Sequence, residues 1–253
     1  IEKICAEAGI DWMPQKYTKR PPVLSTLYEI YKLNTVVKKV IKSKGIDMIH
    51  CRSYISALTG LRMKRKMKVP FLFDMRDFFA DERVDGNLWP QTNPLYKRIY
   101  QFFKKKEKAF FEESDHSIAL TYNAKGVIHN WEHINNQPVP VEFIPCCVDL
   151  ELFDRNRIKH DLAAKIRKDW GFDENTRSIF YLGSIGTWYM LNEMLDFFVQ
   201  LKKAHPEFKM VFLTMHPPEE IFAKALERGL SEDDIRVTGV QREDMPTYLS
   251  IAD

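Results

Sequence analysis

Short apolar segments alternate along this chain with longer segments of helical character, and this alternation restricts the fold more than any other feature. Residues 46–50, 69–74 and 117–121 have the apolar character of strands, and predicted helices of ten or more residues separate them. Strands joined by such helices form parallel sheets with right-handed crossovers. The sequence therefore predicts an α/β fold.

The alternation runs through two successive series of segments. In the second series, predicted strands cover residues 178–182, 209–214 and 235–238, with helices at 162–170, 191–204 and 217–228. The chain has 253 residues, more than a typical single domain of about 100–200 residues. We therefore predict two doubly wound, Rossmann-like domains, residues 1–153 and residues 154–253.

The composition excludes several classes of protein. Hydrophobic residues make up 45% and charged residues 29%, which argues against disordered, collagenous and low-complexity chains. The longest apolar runs fall far short of the roughly 20 residues that a membrane-spanning helix needs. The four cysteines form no CxxC pair and have no zinc-ligand spacing, which favours reduced thiols and a cytoplasmic location.

Charge is distributed unevenly between the two halves. Residues 1–150 carry 24 Lys and Arg against 17 Asp and Glu, whereas residues 151–253 carry 14 against 18. The basic first half contains a cationic and aromatic segment, Lys97–Phe111, which could lie peripherally on an anionic membrane. The alternative is an amphipathic helix with its Phe residues in the core. Nucleic acid is not an expected partner, because no known binding module matches and the net charge is only +3.

Polar side chains follow the predicted strands of the first half. Ligands of open α/β sheets bind beyond the carboxyl ends of the strands, so these side chains are candidates for contact with a substrate. The candidates are His50, Arg52, Asp74, Arg76, Asp77 and Glu82. A histidine can hold a sugar hydroxyl or a phosphate, and an arginine can clamp an anion. Carboxylates can bind a polyhydroxylated molecule.

Structural roles for the same residues remain open. His50 could cap the following helix, with Arg52 paired to Asp74 or Asp77, and the carboxylates could form an internal salt-bridge network. A divalent metal site is disfavoured, because there is no DxD triplet and no histidine at ligand spacing.

The second half has a glycine-containing segment directly after its first strand. Gly183, Ser184 and Gly186 resemble half of a phosphate-binding loop, in which backbone N–H groups and a helix N-terminus meet the anion. Thr187 belongs to the same segment, and Trp188 could stack on a base or a sugar ring, or simply pack between domains. Gly239 and Val240 follow the third strand of this half.

Taken in order, these segments resemble family-4 (group 1) glycosyltransferases of the GT-B fold. The resembling segments are Asp47-Met48-Ile49-His50, Phe73 to Arg83, Glu113 to Thr121, Phe143 to Asp149 with Phe153, Tyr181 to Ser184, and Val240 to Pro246 before Tyr248 to Asp253. The resemblance covers nearly the whole chain, and the ordered set is more specific than any one motif.

The resemblance implies a retaining transferase that moves a sugar from a nucleotide-diphospho-sugar, UDP-linked, to a glycan or lipid-linked acceptor in polysaccharide assembly. It implies an amino-terminal acceptor domain, a carboxy-terminal donor domain and no required metal or cofactor. His50 would lie beside the transferred sugar as the catalytic residue. The Gly183 loop would meet the diphosphate, Gly239 and Val240 would meet the base, and Glu243 would lead into the helix below it.

The chain departs from the family pattern in three ways. No Lys or Arg follows Gly183 before Lys202, so charge compensation would come from Arg52, Arg76 or a helix terminus. The family's E-x7-E segment and its opening glycine-rich loop are both absent, so we expect a chain truncated at both ends, with each domain incomplete. Two alternatives stay open: a GT-B sugar-nucleotide epimerase, and a non-catalytic nucleotide-sugar-binding protein.

Overall fold

A computed structural model describes residues 1–21, 23–186 and 188–253. The chain forms two compact units, Ile1–Cys146 and Cys147–Asp253. The predicted domain boundary after residue 153 lies a few residues beyond this division.

The first unit contains six helices and four strands among its described residues. The helices are α1 (Glu2–Glu7), α2 (Leu24–Lys44), α3 (Ser53–Met67), α4 (Phe79–Asp85), α5 (Pro94–Glu113) and α6 (Tyr122–His129). The strands are β1 (Ile49–Arg52), β2 (Phe71–Asp74), β3 (His116–Ala119) and β4 (Val141–Phe143). They form one parallel sheet in the order β1-β2-β3-β4, as the alternation of strands and helices predicts.

Two local predictions in this unit are wrong. The strand predicted over residues 46–50 begins only at Ile49 and continues to Arg52, because pairing with β2 starts at Ile49 opposite Phe71. His50 therefore lies within the strand rather than after it. Helix α4 was not predicted, because the charged residues between Asp77 and Asp85 mask its short apolar face, Phe79 and Ala80.

The core of the first unit lies between the sheet and its connecting helices. Cys51, Phe71 and Phe73 are buried on one face of the sheet, and helices α3, α5 and α6 contribute Tyr54, Phe110 and Ile128 to the same apolar cluster. Side chains alternate between the two faces of a strand. His50, Arg52 and Asp74 therefore lie on the opposite face.

Helix α3 packs closely on the sheet at Gly60. A Cβ at this position would lie 2.4 Å from Cys51 Sγ and 2.8 Å from Phe71 Cδ2, so both strands that carry the candidate residues approach the helix backbone here. Glycine is required because no side chain fits.

We expect Gly60→Ala to destabilise the protein by about 1–3 kcal/mol through overpacking, in spite of the better helix propensity of alanine. Gly126→Ala is the matched control, because Gly126 also lies in a helix and a Cβ there would meet nothing within 4 Å. That variant should be neutral or more stable. Urea unfolding of both variants measures the difference, and equal stabilities would contradict the packing argument.

The second unit is built on a three-stranded parallel sheet, β5-β6-β7. Its strands are β5 (Arg177–Leu182), β6 (Phe208–Leu213) and β7 (Ile235–Thr238). Its helices are α7 (His160–Asp169), α8 (Leu191–Ala204), α9 (Glu219–Leu226) and α10 (Met245–Leu249), with short 3-10 turns at Arg155–Arg157 and Glu232–Asp234. The predicted helix at 191–204 and strand at 235–238 match the structure residue for residue.

Apolar clusters cover both faces of this sheet. Met210 and Phe212 of β6 pack with α8 and α9, whereas Val211 and Leu213 of the same strand pack with residues of α7 and with Ile251. Alternate residues of one strand thus serve two cores, which is the arrangement of a doubly wound sheet. Within the described residues of the chain, no helix is both long and apolar enough to cross a membrane.

Asp234 connects helix α8 to the start of β7. Its Oδ1 accepts a hydrogen bond from Lys202 Nζ of α8 at 2.5 Å, and its Oδ2 accepts from the Ser231 N–H at 2.8 Å. Burial opposes the ionised form, but the hydrogen bonds from Lys202 and Ser231 outweigh it and lower the pKa of Asp234 to about 2.

A depressed pKa stabilises the fold above the unfolded-state pKa of about 4, and this contribution is lost as the pH falls towards 2. We expect Asp234→Asn to cost about 1–2 kcal/mol at pH 6, allowing for screening of the partly exposed site, and much less at pH 2.5. Urea denaturation at the two pH values measures this. A cost independent of pH would contradict the assignment.

Candidate functional site

The candidate residues of the first unit gather where β1 passes directly into helix α3. Arg52 is the last residue of β1 and also the residue before the helix, and Ser53 takes a φ of +67° to make the turn. Ser56 Oγ donates a hydrogen bond to the Arg52 carbonyl at 2.5 Å, which fixes this junction. His50 and Arg52 therefore share one face of β1, and both are exposed.

His50 contacts the end of the neighbouring strand. Its Nε2 lies 3.1 Å from Asp74 Oδ2, and Asp74 is the last residue of β2. The parallel register places Arg52 opposite Asp74, so the histidine reaches its carboxylate diagonally across the sheet. The predicted alternative, Arg52 paired with Asp74 or Asp77, does not occur among the ion pairs of the described residues.

Arg76, Asp77, Glu82 and Arg83 form a charged cluster just beyond β2. Burial raises the pKa of Asp77, although Arg83 and Arg76 oppose the rise. Burial and the charge of Asp77 raise the pKa of Glu82. The Arg83 guanidinium lies 3.6 Å from the centre of the Phe79 ring, and burial lowers its pKa. The cluster thus holds two carboxyls that are easier to protonate than exposed ones, beside two guanidinium groups.

Asp81, which lies in the same charged stretch of sequence, is held elsewhere. It accepts hydrogen bonds from Tyr100 Oη and Lys104 Nζ of helix α5, both at 2.9 Å. Lys104 Nζ also lies 2.5 Å from Glu107 Oε1, and Tyr54 Oη donates to Glu107 Oε2. Glu107 is fully buried, and burial raises its pKa in spite of Lys104 and Tyr54. Asp81 therefore belongs to a polar network in the core.

The basic and aromatic segment Lys97–Phe111 lies on helix α5. Its residues Phe103, Phe110 and Phe111 are buried in the core, whereas Lys97, Arg98, Phe102 and Lys105 remain exposed. The segment is an amphipathic helix, which is the structural alternative that the sequence left open.

The candidate loop of the second unit follows β5. The Gly183 N–H donates to the Leu213 carbonyl at 3.1 Å, and a Cβ at Gly183 would lie 2.9 Å from Tyr181 Oη. Tyr181 Oη donates to the Ser184 carbonyl at 2.8 Å, and Ile185 is buried in the core. Ser184 and Gly186 are exposed, so buried neighbours hold the loop while its polar backbone faces outwards.

The remaining donor candidates surround the same end of the sheet of this unit. Trp188 is 40% exposed and precedes helix α8, and Thr187 lies outside the described residues. Gly239 follows β7, where a Cβ would lie 2.9 Å from Met215 Sδ. Val240 packs against the apolar cluster around Val211, and Glu243 is exposed before α10. The structure thus brings together the loops after β5 and β7 within this unit.

No group of three or more His, Cys, Asp or Glu side chains among the described residues has a geometry that could hold a metal ion. The donor atoms that this part of the chain offers at its strand ends are therefore suited to hydroxyl groups and anions.

Solved structures of low sequence identity share this fold. The sucrose-phosphate synthase of Thermosynechococcus elongatus superposes with a TM-score of 0.73 at 16% identity, over 95% of this chain and 57% of that one. The Anabaena protein HepE, solved with UDP and glucose, gives 0.64 at 13% identity, over 100% of this chain and 62% of that one. The UDP-GlcNAc 2-epimerase of Neisseria meningitidis gives 0.52 at 12%, over 99% and 64%.

These likenesses confirm the predicted α/β fold of the GT-B class. The chain spans about 57–64% of the length of the three structures. A sequence comparison with curated proteins finds no significant match.

A family-level comparison is more specific. The sequence profile of Glycosyltransferase Family 4 matches residues 4–152, which is more than half of the chain and includes every candidate residue of the first unit. The chain therefore belongs to glycosyltransferase family 4.

Proposed function

We propose that the protein transfers a sugar from a UDP-linked nucleotide sugar to a glycan or lipid-linked acceptor, with retention of the anomeric configuration. The observation that carries the proposal is the family-4 match over residues 4–152, the part of the chain in which His50 meets Asp74 at the end of the sheet. Family resemblance supports retention and a reaction that needs no metal ion or other cofactor.

The second unit holds the donor in this proposal. The loop at Gly183, Ser184 and Gly186 offers backbone N–H groups to the diphosphate, and helix α8, which begins at Leu191 without a side-chain cap, adds the positive end of its dipole. Gly239 and Val240 meet the base, and Glu243 leads into the helix below it. The likeness to the Anabaena structure with UDP and glucose supports a uridine donor.

Two further residues complete the donor proposal. Trp188 stacks on a ring of the donor, for which its exposed indole is suited. Thr187 keeps its predicted role in the same loop. Because no Lys or Arg lies between Gly183 and Lys202, backbone groups carry most of the contact with the diphosphate in this unit.

The first unit holds the acceptor. Asp77 and Glu82 accept hydrogen bonds from acceptor hydroxyls, and Arg52 and Arg76 bind an anionic group of the acceptor or of the leaving diphosphate. His50 contacts the transferred sugar. Asp74 was predicted to bind the acceptor too, and its contact with His50 directs attention to the histidine instead.

An anionic membrane surface is the proposed location of the acceptor. Lys97, Arg98 and Lys105 remain exposed on α5, and Phe102 is 45% exposed between them. Cationic and aromatic side chains on one helix face favour the surface of an anionic bilayer. The protein would then act in polysaccharide assembly as a peripheral protein on the cytoplasmic side.

The test uses the full-length protein and a panel of UDP-, ADP- and GDP-linked sugars. A donor present at 100 times its Kd stabilises the native state by about 2.7 kcal/mol, which corresponds to a rise in Tm of roughly 5–10 °C. The donor that raises the Tm is then incubated with lipid-linked acceptors, and the anomeric configuration of the product is read by NMR. An inverted product, or no response to any donor, would refute the proposal.

The likeness to a UDP-GlcNAc 2-epimerase supports a second candidate, epimerisation of the nucleotide sugar itself. Incubation with the donor alone distinguishes the two reactions. An epimerase converts the donor without an acceptor, whereas a transferase leaves it intact or hydrolyses it slowly. A protein that binds the donor and changes nothing, with or without an acceptor, would instead be a binding protein.

A further inference from the structure

The contact between His50 and Asp74 joins an exposed group to a buried one. The side chain of His50 is 52% exposed, whereas that of Asp74 is 12% exposed, and 3.1 Å separate His50 Nε2 from Asp74 Oδ2. Both residues lie on the same face of two paired strands, so the sheet itself sets the distance between them. The aspartate therefore holds the ring from its buried side.

We infer that Asp74 is the positioning residue of His50: it holds the Nε2–H of the ring, so that Nδ1 is presented to a hydroxyl group of the sugar. This inference rests on the proposed function and deepens it, because it names which atom of the histidine meets the substrate and which chemical group that atom accepts.

The assignment of the two ring nitrogens follows from the chemistry of the pair. A carboxylate accepts hydrogen bonds and has no proton to donate, so Nε2 must be the donor. A neutral imidazole carries one proton, which leaves Nδ1 with a lone pair. Among the described residues no group is hydrogen-bonded to Nδ1. A lone pair accepts from a sugar hydroxyl and offers nothing to a phosphate oxygen, so the ligand of the neutral ring is a hydroxyl.

The second oxygen of Asp74 separates positioning from direct binding of the acceptor. Asp74 as a whole is 8% exposed, and its Oδ1 is buried without a hydrogen-bond partner among the described side chains and backbone. An oxygen enclosed in this way cannot receive the hydroxyl of an incoming acceptor. With Oδ2 directed at His50 and Oδ1 enclosed, Asp74 influences the reaction through the histidine.

The direct test is NMR of the ¹⁵N-labelled full-length protein at a pH where His50 is neutral. We expect the Nε2 proton of His50 to be visible and slow to exchange in the wild type, with Nδ1 unprotonated. In Asp74→Ala this proton should exchange with water too fast to be seen, while the ring signals of His116, an exposed histidine of β3, stay unchanged. A His50 ring protonated at Nδ1, or a signal unchanged in Asp74→Ala, would overturn the inference.

Kinetics supply a second, independent readout. Asp74→Ala should lower kcat roughly 10- to 100-fold, as for partners that orient metal-bound imidazoles, with little change in the KM of the donor. In the His50→Ala background the same change should cost no more than about 2-fold, since residues that act as a unit are not additive. A full further loss in the double variant would show that Asp74 acts without His50.

Controls separate positioning from folding. Asp74→Asn keeps the size of the side chain and an acceptor oxygen, so it should fold, retain the Nε2 proton signal and keep an activity above that of Asp74→Ala. Asp47→Ala changes an exposed aspartate before β1 and should leave activity and the His50 signals as in the wild type. If the protein transferred no sugar, the NMR signature would still test the pair, so failure of the inference and failure of the proposed function are distinguishable.

Discussion

Replacement of His50 by alanine is expected to lower kcat by about 10²–10³-fold while the affinity for the donor changes little. The ring is held on the open face of β1 by Asp74, at 3.1 Å, and is proposed to contact the transferred sugar. A hydrogen bond that strengthens only in the transition state, once removed, lowers kcat by this amount. Groups on the second unit are proposed to bind the diphosphate and base, so donor binding should persist.

Steady-state kinetics of the full-length protein and the rise in Tm on adding donor measure the two effects separately. His116→Ala is the matched control, because His116 is an exposed histidine at the start of a strand in the same sheet and has no proposed role. That variant should behave as the wild type. Wild-type turnover in His50→Ala, or a loss confined to KM, would remove His50 from the transition state.

Replacement of Lys104 by alanine is expected to destabilise the protein by about 3–5 kcal/mol at pH 7, because removing one partner of a buried ion pair leaves the other charge uncompensated. Lys104 Nζ lies 2.5 Å from Glu107 Oε1 and 2.9 Å from Asp81 Oδ2, and Glu107 is fully buried. Burial already raises the pKa of Glu107, so a lower pH should reduce the cost by protonating the carboxyl.

Urea unfolding measures this effect, and the fluorescence of Trp131, whose ring centre lies 4.8 Å from Lys104 Nζ, is a local probe of the same region. Lys105→Ala makes the same chemical change one residue along the helix at an exposed position, and should cost within about 0.5 kcal/mol. The double variant Lys104→Met, Glu107→Leu should recover most of the loss, because an apolar pair needs no charge compensation. Similar stabilities of Lys104→Ala and Lys105→Ala would disprove the network.

Local periodicity was sufficient to predict most of the secondary structure. Helix α8 and strand β7 have the predicted bounds because each has a regular apolar face and clear polar boundaries. Strand β1 is displaced towards its carboxyl end because its limits are set by pairing with β2, which no local pattern reports. Helix α4 was missed because only two of its seven residues are buried.

The candidate site was predictable by residue type and place in the chain, but its internal contacts were not. The chemistry of strand ends pointed to His50 and Asp74 separately, and only the sheet shows that one holds the other. The charged stretch after β2 was read as one cluster, yet Asp81 turns towards α5 and leaves Asp77 and Glu82 beside Arg83. Glu107 gave no signal in the sequence, since a charged residue on a basic helix is usually exposed.

The order of strands and helices, the α/β class and the family were determined by the sequence itself, because periodicity and motifs are properties of neighbouring residues. The tertiary structure decided which polar groups meet. His50 and Asp74 are 24 residues apart, and Tyr54 and Glu107 are 53 apart. Strand register and helix packing bring such pairs together, and burial then determines whether a carboxylate binds a ligand, positions a histidine or stabilises the core.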